Sequence, residues 1–504
     1  MKKVINNMFN FFSRLSKKTK ITILVVTLLI LGVTVLYQTF ATSSTISGDS
    51  TNGYTVTLDN SGTISIPASG SKTVYFKVKN TNNATVKYGV GYSGSNITVK
   101  EYSDSDNPSA GTISKGESKF VKLYITNSGT SASTATITTI LGYENGGDLI
   151  VPSGYTLVTS IYTVPVNLVT HITKLYTSAA KTPKTVNSIE YNLAPSVSLM
   201  NDRLGSMSTL IDSGNIRYYG ASPNNYIYFN CDDYSNQTSS TCETWRIIGV
   251  FEGKVKIMRG SQIGTYAWDN KNTSTGAESA YGKNDWTTAR LMKLLNPSDY
   301  YTVDSNDNGN GQSLYWNGQS GTCFSGQNNA TKSCNFTSTS STKGLKNDTT
   351  RNMISETMWY LRGWNTNSVF VDQMYEYERT TGKVYNTKRP TSWTGKIALA
   401  YPSDYGYAAD LSLCQQKLGS YNDATCTANN WMKSILGTSS DGWLLTPASG
   451  YSDGAWSVIS SGTVYGTSST YVANGVGPVL YLNSELGIKS GGDGSSSAPY
   501  QLSA

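Results

Sequence analysis

The stretch from Trp245 to Arg259 reads WRIIGVFEGKVKIMR and predicts a β-hairpin in the C-terminal part of the chain. Two strand-forming runs, Trp245–Phe251 and Lys254–Met258, are separated only by Glu252 and Gly253. A two-residue connection that includes Gly is typical of a tight turn between antiparallel strands. We therefore expect these two runs to pair directly.

Further elements are expected after this hairpin. Apolar residues at helical spacing predict helices over Asn284–Asn296 and Ile354–Trp364. Shorter apolar runs predict strands at Lys396–Ala400, Trp443–Pro447 and Val476–Asn483, and a second hairpin over Trp456–Val464. Short helices among antiparallel strands indicate an α+β domain over residues 213–504.

Six cysteines lie in this domain at regular spacing. Cys231 and Cys242 are 11 residues apart, Cys323 and Cys334 are also 11 apart, and Cys414 and Cys426 are 12 apart. Six cysteines allow about fifteen connectivities, and the near-equal spacing favours three sequential disulfides. Free thiols and a metal site are the alternatives, although the chain has no CxxC pair of the kind found in zinc sites.

The preceding part of the chain, residues 52–170, contains short strand-forming runs separated by polar turns. These runs are Tyr54–Leu58, Thr73–Lys79, Val86–Tyr92, Ile97–Val99, Phe120–Ile125, Ala135–Ile140 and a last one within Val158–Val169. Their alternation predicts an antiparallel β-sandwich. The segment GTISIPASGSKTVYFKVKNTNN, residues 62–83, resembles immunoglobulin-like spacer domains of bacterial surface proteins. The resemblance implies a spacer, and adhesion through the sandwich loops is the alternative.

Residues 171–212 are expected to link the two domains. All ten Trp lie at or after Trp245 and all six Cys at or after Cys231, so the chain changes character near residue 200. Ser, Thr, Ala and Pro are frequent in residues 176–195, which is typical of a linker. The apolar spacing in Val197–Ile211 predicts one short helix within it.

An uncharged run, ITILVVTLLILGVTVLYQTF, occupies residues 21–40. Twenty helical residues span roughly 30 Å, the thickness of a bilayer hydrocarbon core. Six Lys and Arg and no acidic residue precede the run, so residues 1–20 are expected in the cytoplasm and the rest of the chain outside the cell. The run predicts a single-pass anchor in the cell membrane. A signal peptide cleaved after Ala41 is the alternative.

The charge distribution argues against nucleic-acid binding. The net charge is +7, but six positive charges precede the apolar run, so the remainder of the chain is nearly neutral. The single histidine, His171, argues against a catalytic triad and against His-rich zinc sites.

The order of motifs after residue 213 resembles a C-terminal domain of unknown function that is widespread in surface proteins of Firmicutes. The resemblance covers Gly214 to Ser503 and rests on WRIIGVF at 245–251, YPSDYGYA at 401–408, and GPVLYLNSE with GDGSSSAPYQL near the end. In one departure, Gly477 stands where that family usually has an Arg before the proline of the final strand. A weaker similarity is to C-type-lectin-like domains. Both resemblances imply an architecture and a location, not a reaction.

Aromatic residues are the candidates for ligand binding, because a Trp or Tyr ring can stack on the C–H face of a sugar. Trp316, Trp364 and Trp393 stand among Asn, Gly, Thr and Ser, which favours surface positions. Asp404 and Tyr405 of the PSDYGY motif are the polar groups expected beside a ligand. Core packing of the rings and a turn role for Asp404 are the alternatives.

The segment DSNDNGNGQS, residues 304–313, matches the first half of a calcium loop. Asp304, Asn306 and Asn308 are the candidate metal ligands. The twelfth position is Tyr315 rather than the usual bidentate acid, so a surface loop is the alternative. No other cofactor is expected.

These patterns predict a mainly β protein with a membrane helix, in which an immunoglobulin-like β-sandwich precedes an α+β lectin-like domain. The expected function is a membrane-anchored bacterial cell-surface binding protein or adhesin that recognises a glycan or protein ligand. One alternative is a cell-wall- or glycan-acting hydrolase with paired carboxylates such as Glu356 and Asp404, although no catalytic motif is found. The other is a purely structural surface component.

Overall fold

The computed structural model describes residues 44–46, 56–58, 64–80, 83–103, 111–143, 149, 151–163, 166–202, 214–307, 309–438, 440–489 and 491–503. The chain is mainly β, with several sheets. It divides into two compact units, Met1–Val164 and Pro165–Ala504. The predicted anchor at residues 21–40 lies outside the described residues. Among the described residues, no helix has both the length and the hydropathy needed to cross a membrane.

The described part of the first unit consists of strands. They are β1 Ser44–Ile46, β2 Val56–Leu58, β3 Ile64–Ile66, β4 Ser71–Lys79, β5 Val86–Ser93, β6 Ile97–Ser103, β7 Gly111–Ile113, β8 Ser118–Asn127, β9 Ser133–Tyr143, β10 Thr156–Leu157 and β11 Ile161–Thr163. One sheet has the order β1-β2-β9-β5-β10, with β3 on β9 and β7 on β5, and the other has the order β11-β6-β8-β4.

The two sheets of the first unit share one apolar core. Val86 and Tyr88 of β5 and Ile137 of β9 come from the first sheet, and Val99 of β6 and Leu123 of β8 come from the second. These side chains are buried in one cluster, so the inner faces of both sheets meet as in a β-sandwich. The predicted strands are found with small differences at their ends, which confirms the alternating pattern as β-structure.

The segment predicted to be a linker forms part of the second unit. Asn167 caps the helix α1 Leu168–Ser178, and its face Leu168, Ile172 and Tyr176 is buried at a spacing of four residues. Two strands, β13 Thr182–Val186 and β14 Ile189–Ala194, then pair through a two-residue turn. The apolar residues of this segment pack in the core, and the segment is therefore folded although it is rich in Ser, Thr, Ala and Pro. The sequence interpretation treated residues 171–212 as a linker between two domains, and the described part of this segment lies in the second compact unit.

The remaining strands of the second unit are β12 Val166–Asn167, β15 Leu199–Asn201, β16 Ile216–Tyr218, β17 Tyr226–Phe229, β18 Glu243–Phe251, β19 Lys254–Arg259, β20 Thr265–Ala267, β21 Ser320–Phe324, β22 Thr331–Asn335, β23 Thr357–Tyr360, β24 Ser392–Gly395, β25 Ile397–Ala398, β26 Gly442–Pro447, β27 Gly454–Val458, β28 Val464–Ser469, β29 Ala473–Gly475, β30 Val479–Tyr481, β31 Gly487–Ile488 and β32 Leu502–Ser503. Its other α-helices are α2 Arg290–Leu295, α3 Leu314–Asn317, α4 Asp348–Asn352, α5 Val371–Glu376, α6 Pro402–Tyr407, α7 Ala424–Ala428 and α8 Lys433–Leu436.

A nine-stranded sheet is the centre of the second unit. Its order is β13-β14-β15-β16-β18-β19-β30-β25, with β17 also paired to β18. A second sheet has the order β20-β29-β26-β27-β28. The predicted hairpin β18–β19 is confirmed: Glu252 and Gly253 form its turn with φ of 49° and 74°, and Phe251 pairs with Lys254. This hairpin lies in the middle of the larger sheet.

Two helix predictions differ from the structure. The segment Ile354–Trp364 contains strand β23 instead of a helix, and Trp359 pairs with Trp393 of β24. Met358 is 51 % exposed and Trp359 is buried, so the side chains alternate as in a strand. In Val197–Ile211, residues Leu199–Asn201 form strand β15. Residues 203–213 lie outside the described part of the chain.

Three sequential disulfides are present, as predicted. They join Cys231 to Cys242, Cys323 to Cys334, and Cys414 to Cys426. Each closes a local loop within the second unit, and none of the six cysteines is free. The three bonds therefore reinforce individual loops rather than tie distant elements together.

Candidate functional site

Trp316 and Trp393, which the sequence predicted at the surface, are buried. Trp316 lies in the short helix α3 and is 9 % exposed, and Trp393 in β24 is 8 % exposed. The ring of Trp393 packs edge-on against Trp286, with the centroids 6.3 Å apart. Polar neighbours in the sequence gave the wrong expectation for both rings, and in the case of Trp393 a partner more than one hundred residues away in the chain packs against the ring.

The side chains of Trp364 and Tyr405 also contact neighbouring residues of the protein. The Trp364 ring is partly buried and stacks on Tyr377 at 4.0 Å, with an angle of 8° between the rings. Tyr405 is buried, and its hydroxyl donates a hydrogen bond to the Gly462 carbonyl at 3.1 Å. Neither residue lines any of the three cavities discussed below. The predicted ligand residues therefore do not converge on one open site.

Asp404 is the centre of a buried ion network. One of its oxygens accepts a hydrogen bond from Arg217 Nη1 at 2.9 Å, and the other contacts Lys256 Nζ. The second oxygen also accepts from the Tyr401 backbone N–H at 3.0 Å, at the start of helix α6. Burial alone would raise the pKa of Asp404, but Lys256 and Arg217 lower it to about 2. Asp404 is thus a structural anion rather than a ligand contact.

The network also includes two further carboxylates, those of Asp202 and Glu378. Arg217 also pairs with Asp202, and nearby Arg379 pairs with Glu378 at 2.6 Å. Glu378 accepts a hydrogen bond from the Ser403 backbone N–H at 2.9 Å, and burial raises its pKa. The three cations and three carboxylates of this network balance. Because each of these buried charges is paired, the network stabilises the fold and offers no spare charge to a ligand.

The calcium candidate is not assembled in the described residues. Asn308 lies outside them, and Asp304 is 3.9 Å from Lys293 Nζ. Asp307 in the same loop is buried and pairs with both Arg290 and Lys293. Two cations therefore hold the carboxylate that a calcium ion would need. In the part of the chain that the structure covers, no group of three His, Cys, Asp or Glu side chains is arranged to hold a metal ion.

Three cavities in the second unit differ in size and charge. The cavity beside Arg379 has a volume of about 50 Å³, which is too small for a sugar. A cavity of about 200 Å³ is lined by Tyr218 and Tyr500, with Asp493 as its one charged residue. The third has a volume of about 380 Å³ and contains two arginines, Arg246 and Arg259. The lining of each of the three cavities contains one carboxylate, and neither Glu356 nor Asp404 lines any of them. These two residues therefore do not form a pair of acids in any of these cavities.

Arg246 is the central residue of the largest of these cavities, which we name the Arg246 cavity. The side chain comes from strand β18, is 6 % exposed, and lies over the Tyr226 ring at 3.8 Å and the Trp431 ring at 4.8 Å. Its Nε donates to Asn225 Oδ1 at 2.6 Å. Asn225 Nδ2 donates to the Ile247 carbonyl at 2.8 Å, which turns the amide oxygen towards Arg246.

Among the residues that the structure describes, no carboxylate pairs with Arg246. Among the described residues, its Nη2 is buried and has no hydrogen-bond partner. Burial lowers the pKa of Arg246 to about 10, opposed only by Tyr226. The other buried arginines and lysines of the described chain each have a carboxylate within 4.0 Å; they are Arg217, Lys256, Arg259, Lys271, Arg290, Lys293 and Arg389.

The second arginine of the cavity is already neutralised. Arg259 Nε and Nη2 donate to the two oxygens of Glu243 at 3.1 and 3.0 Å. Glu243 also accepts from Trp245 Nε1 at 3.1 Å. The cavity therefore has two cations and one anion in its lining, and the uncompensated charge is that of Arg246. Such a group can bind an anion through charge-assisted hydrogen bonds.

Sequence reasoning missed Arg246, although one signal was present. The quoted motif WRIIGVF places an arginine inside a run whose other members are apolar. From Trp245 onward every residue of β18 is buried, so a charge at this position requires a partner or a function. The absence of a carboxylate partner depends on contacts distant in the chain and is not visible in the sequence.

Comparisons with family models, with curated proteins and with solved structures give no match.

Proposed function

We propose that this chain is a membrane-anchored bacterial cell-surface binding protein whose second unit binds its ligand in the Arg246 cavity. The observation that carries the binding role is a buried arginine, Arg246, that has no carboxylate partner in the described part of the chain and lines a cavity of about 380 Å³. A buried unpaired charge costs stability, and an anionic ligand would offset that cost.

The sequence supports the cellular location. The apolar run at residues 21–40, with basic residues before it, favours an anchor with the later units outside the cell. Three disulfides agree with an oxidising environment. The first unit, as an immunoglobulin-like domain, would be a spacer, and the second would be a lectin-like domain of the Firmicutes surface type.

Protease treatment of intact cells that express the full chain tests the location. We expect both units to be degraded while the N-terminal peptide stays protected and bound to the membrane fraction. Complete protection of the chain would contradict the outward display. Release of a chain that begins near residue 42 would support the cleaved signal peptide instead of the anchor.

A glycan array and a cell-binding assay test the binding role, with full-length chain and two matched variants. Arg246→Gln removes the charge of the cavity, whereas Lys417→Gln removes one exposed charge outside it. We expect the parent and Lys417→Gln to bind and Arg246→Gln to lose binding. No binding by the parent would favour a purely structural component. Equal binding by all three would retain the function but exclude this cavity as the site.

A further inference from the structure

The lining of the Arg246 cavity restricts the ligand to a particular charge. Of the side chains that line it, Arg246 and Arg259 are cations and Glu243 is an anion, which leaves one positive charge. A monoanion balances that charge. A phosphate dianion would exceed it by one and would bring its second charge close to Glu243.

The geometry around Arg246 favours a planar anion. The guanidinium faces are covered by Tyr226 and Trp431, and Nε is engaged by Asn225. Of the two terminal nitrogens, Nη2 is buried and has no hydrogen-bond partner among the described residues. An arginine edge matches the two oxygens of a carboxylate in one plane.

The rim of the cavity is suited to hydroxyl groups. Ser261 and Ser434 are both exposed there. Ser261 Oγ accepts from Arg259 Nη1 at 2.8 Å, so its own hydrogen can be donated to a ligand. Ser434 Oγ donates to the Trp431 carbonyl at 2.8 Å and can accept in return. A donor and an acceptor beside a cation are what a sugar acid can use.

We infer that the Arg246 cavity binds the carboxylate of an acidic saccharide, with Arg246 as the residue that contacts the anion and Asn225 as the residue that positions it. This inference rests on the proposed binding function and adds the chemical class of the ligand. A peptide C-terminus also carries a carboxylate, but it would make little use of the hydroxyl-lined rim.

Calorimetric titration of the full-length chain with small probes tests the ligand class. The probes are glucuronate, the neutral glucuronamide, inorganic phosphate, and an acetylated dipeptide with a free carboxylate. We expect glucuronate to bind and glucuronamide to bind at least about tenfold more weakly, because the loss of a charge-assisted hydrogen bond has an effect of this size. This comparison uses only the parent chain, so it does not depend on whether a variant folds.

The variants then locate the site. Arg246→Gln should weaken glucuronate binding by roughly 10- to 100-fold, whereas Lys417→Gln should leave it unchanged. Tighter binding of phosphate, or equal binding of glucuronamide, would overturn the inference while the proposed function remained. Tighter binding of the dipeptide would replace the saccharide by a peptide ligand. If none of the probes binds and the arrays are also negative, both proposals are wrong.

Discussion

Asp404 connects two cations from different strands: it accepts a hydrogen bond from Arg217 of β16 at 2.9 Å and contacts Lys256 of β19. All three side chains are almost completely buried. This carboxylate belongs to helix α6, so it ties that helix to the central sheet. Removal of the Asp404 carboxylate would leave Arg217 and Lys256 buried with less negative charge beside them.

Asp404→Asn should therefore destabilise the second unit strongly. We expect a loss of about 3–5 kcal/mol in the free energy of unfolding, the range for breaking a buried ion pair on one side. Asp348→Asn is the matched control, because Asp348 also pairs with an arginine but is 90 % exposed, and its loss should be below about 1 kcal/mol. Urea unfolding followed by Trp fluorescence measures both, since all ten Trp lie in this unit. Similar effects of the two substitutions would contradict the structural role of Asp404.

The same carboxylate predicts a pH dependence. The pKa of Asp404 falls from the ordinary value of 3.8 to about 2 in the folded chain, so the folded state binds fewer protons than the unfolded state between these values. Its stabilising contribution is complete above about pH 4 and is lost as the pH falls towards 2. The difference in stability between the parent and Asp404→Asn should thus narrow by at most about 1.4 kcal/mol per pH unit in this window. A constant difference would show that Asp404 does not titrate as proposed.

Arg217 and Arg246 provide a contrast between a paired and an unpaired buried charge. Arg217→Met leaves Asp202 and Asp404 with fewer cations and should cost about 3–5 kcal/mol. Arg246→Met removes no ion pair seen among the described residues, and relief from burying the charge offsets the lost contacts with Tyr226 and Trp431 and the lost hydrogen bond to Asn225. Its stability should remain within about 1 kcal/mol of the parent. Urea unfolding of both variants measures the contrast, and equal losses would indicate a structural partner for Arg246.

His171 can be followed without assignment, because it is the only histidine in the chain. Its Nε2 lies 3.3 Å from the Tyr500 hydroxyl, and its pKa is lowered by burial and by Lys174. The unfolded state therefore binds more protons just below pH 6.5, and the contribution of His171 to stability decreases as the pH falls through that region. Titration of its ring Cε1–H signal by NMR should give a pKa below that of the urea-unfolded chain. A value equal to or above the unfolded one would contradict the packing of the ring.

Local signals in the sequence predicted the elements that depend on neighbours in the chain. The β18–β19 hairpin follows from two apolar runs and the turn at Glu252 and Gly253, and the disulfides follow from the spacing of the cysteines. The buried ion network around Asp404 does not follow in this way. Asp404 is 187 residues from Arg217 and 148 from Lys256, so the sequence around it suggested only a turn or a ligand contact.

Predictions also failed where distant packing decided the outcome. The polar neighbours of Trp316 suggested exposure, yet the ring is buried. The segment Ile354–Trp364 has apolar residues at helical spacing, yet strand pairing between Trp359 and Trp393 determines its form. The pairing partner of Trp359 is distant along the chain, and short-range periodicity carries no information about it.

Gly249 and Gly477 differ in whether the atoms that an added Cβ would meet can move away. A Cβ at Gly249 would lie 2.1 Å from the carbonyl oxygen of Ile216 in the neighbouring strand β16, at the position where the β18–β19 pairing shifts register. A Cβ at Gly477 would lie 2.5 Å from Met258 Cε, the end of a side chain that can rotate. Gly249→Ala should therefore cost about 1–3 kcal/mol or more, and Gly477→Ala less than about 1 kcal/mol. Urea midpoints by Trp fluorescence test the pair. A larger loss for Gly477→Ala would mean that the Met258 side chain is held rigidly in this core.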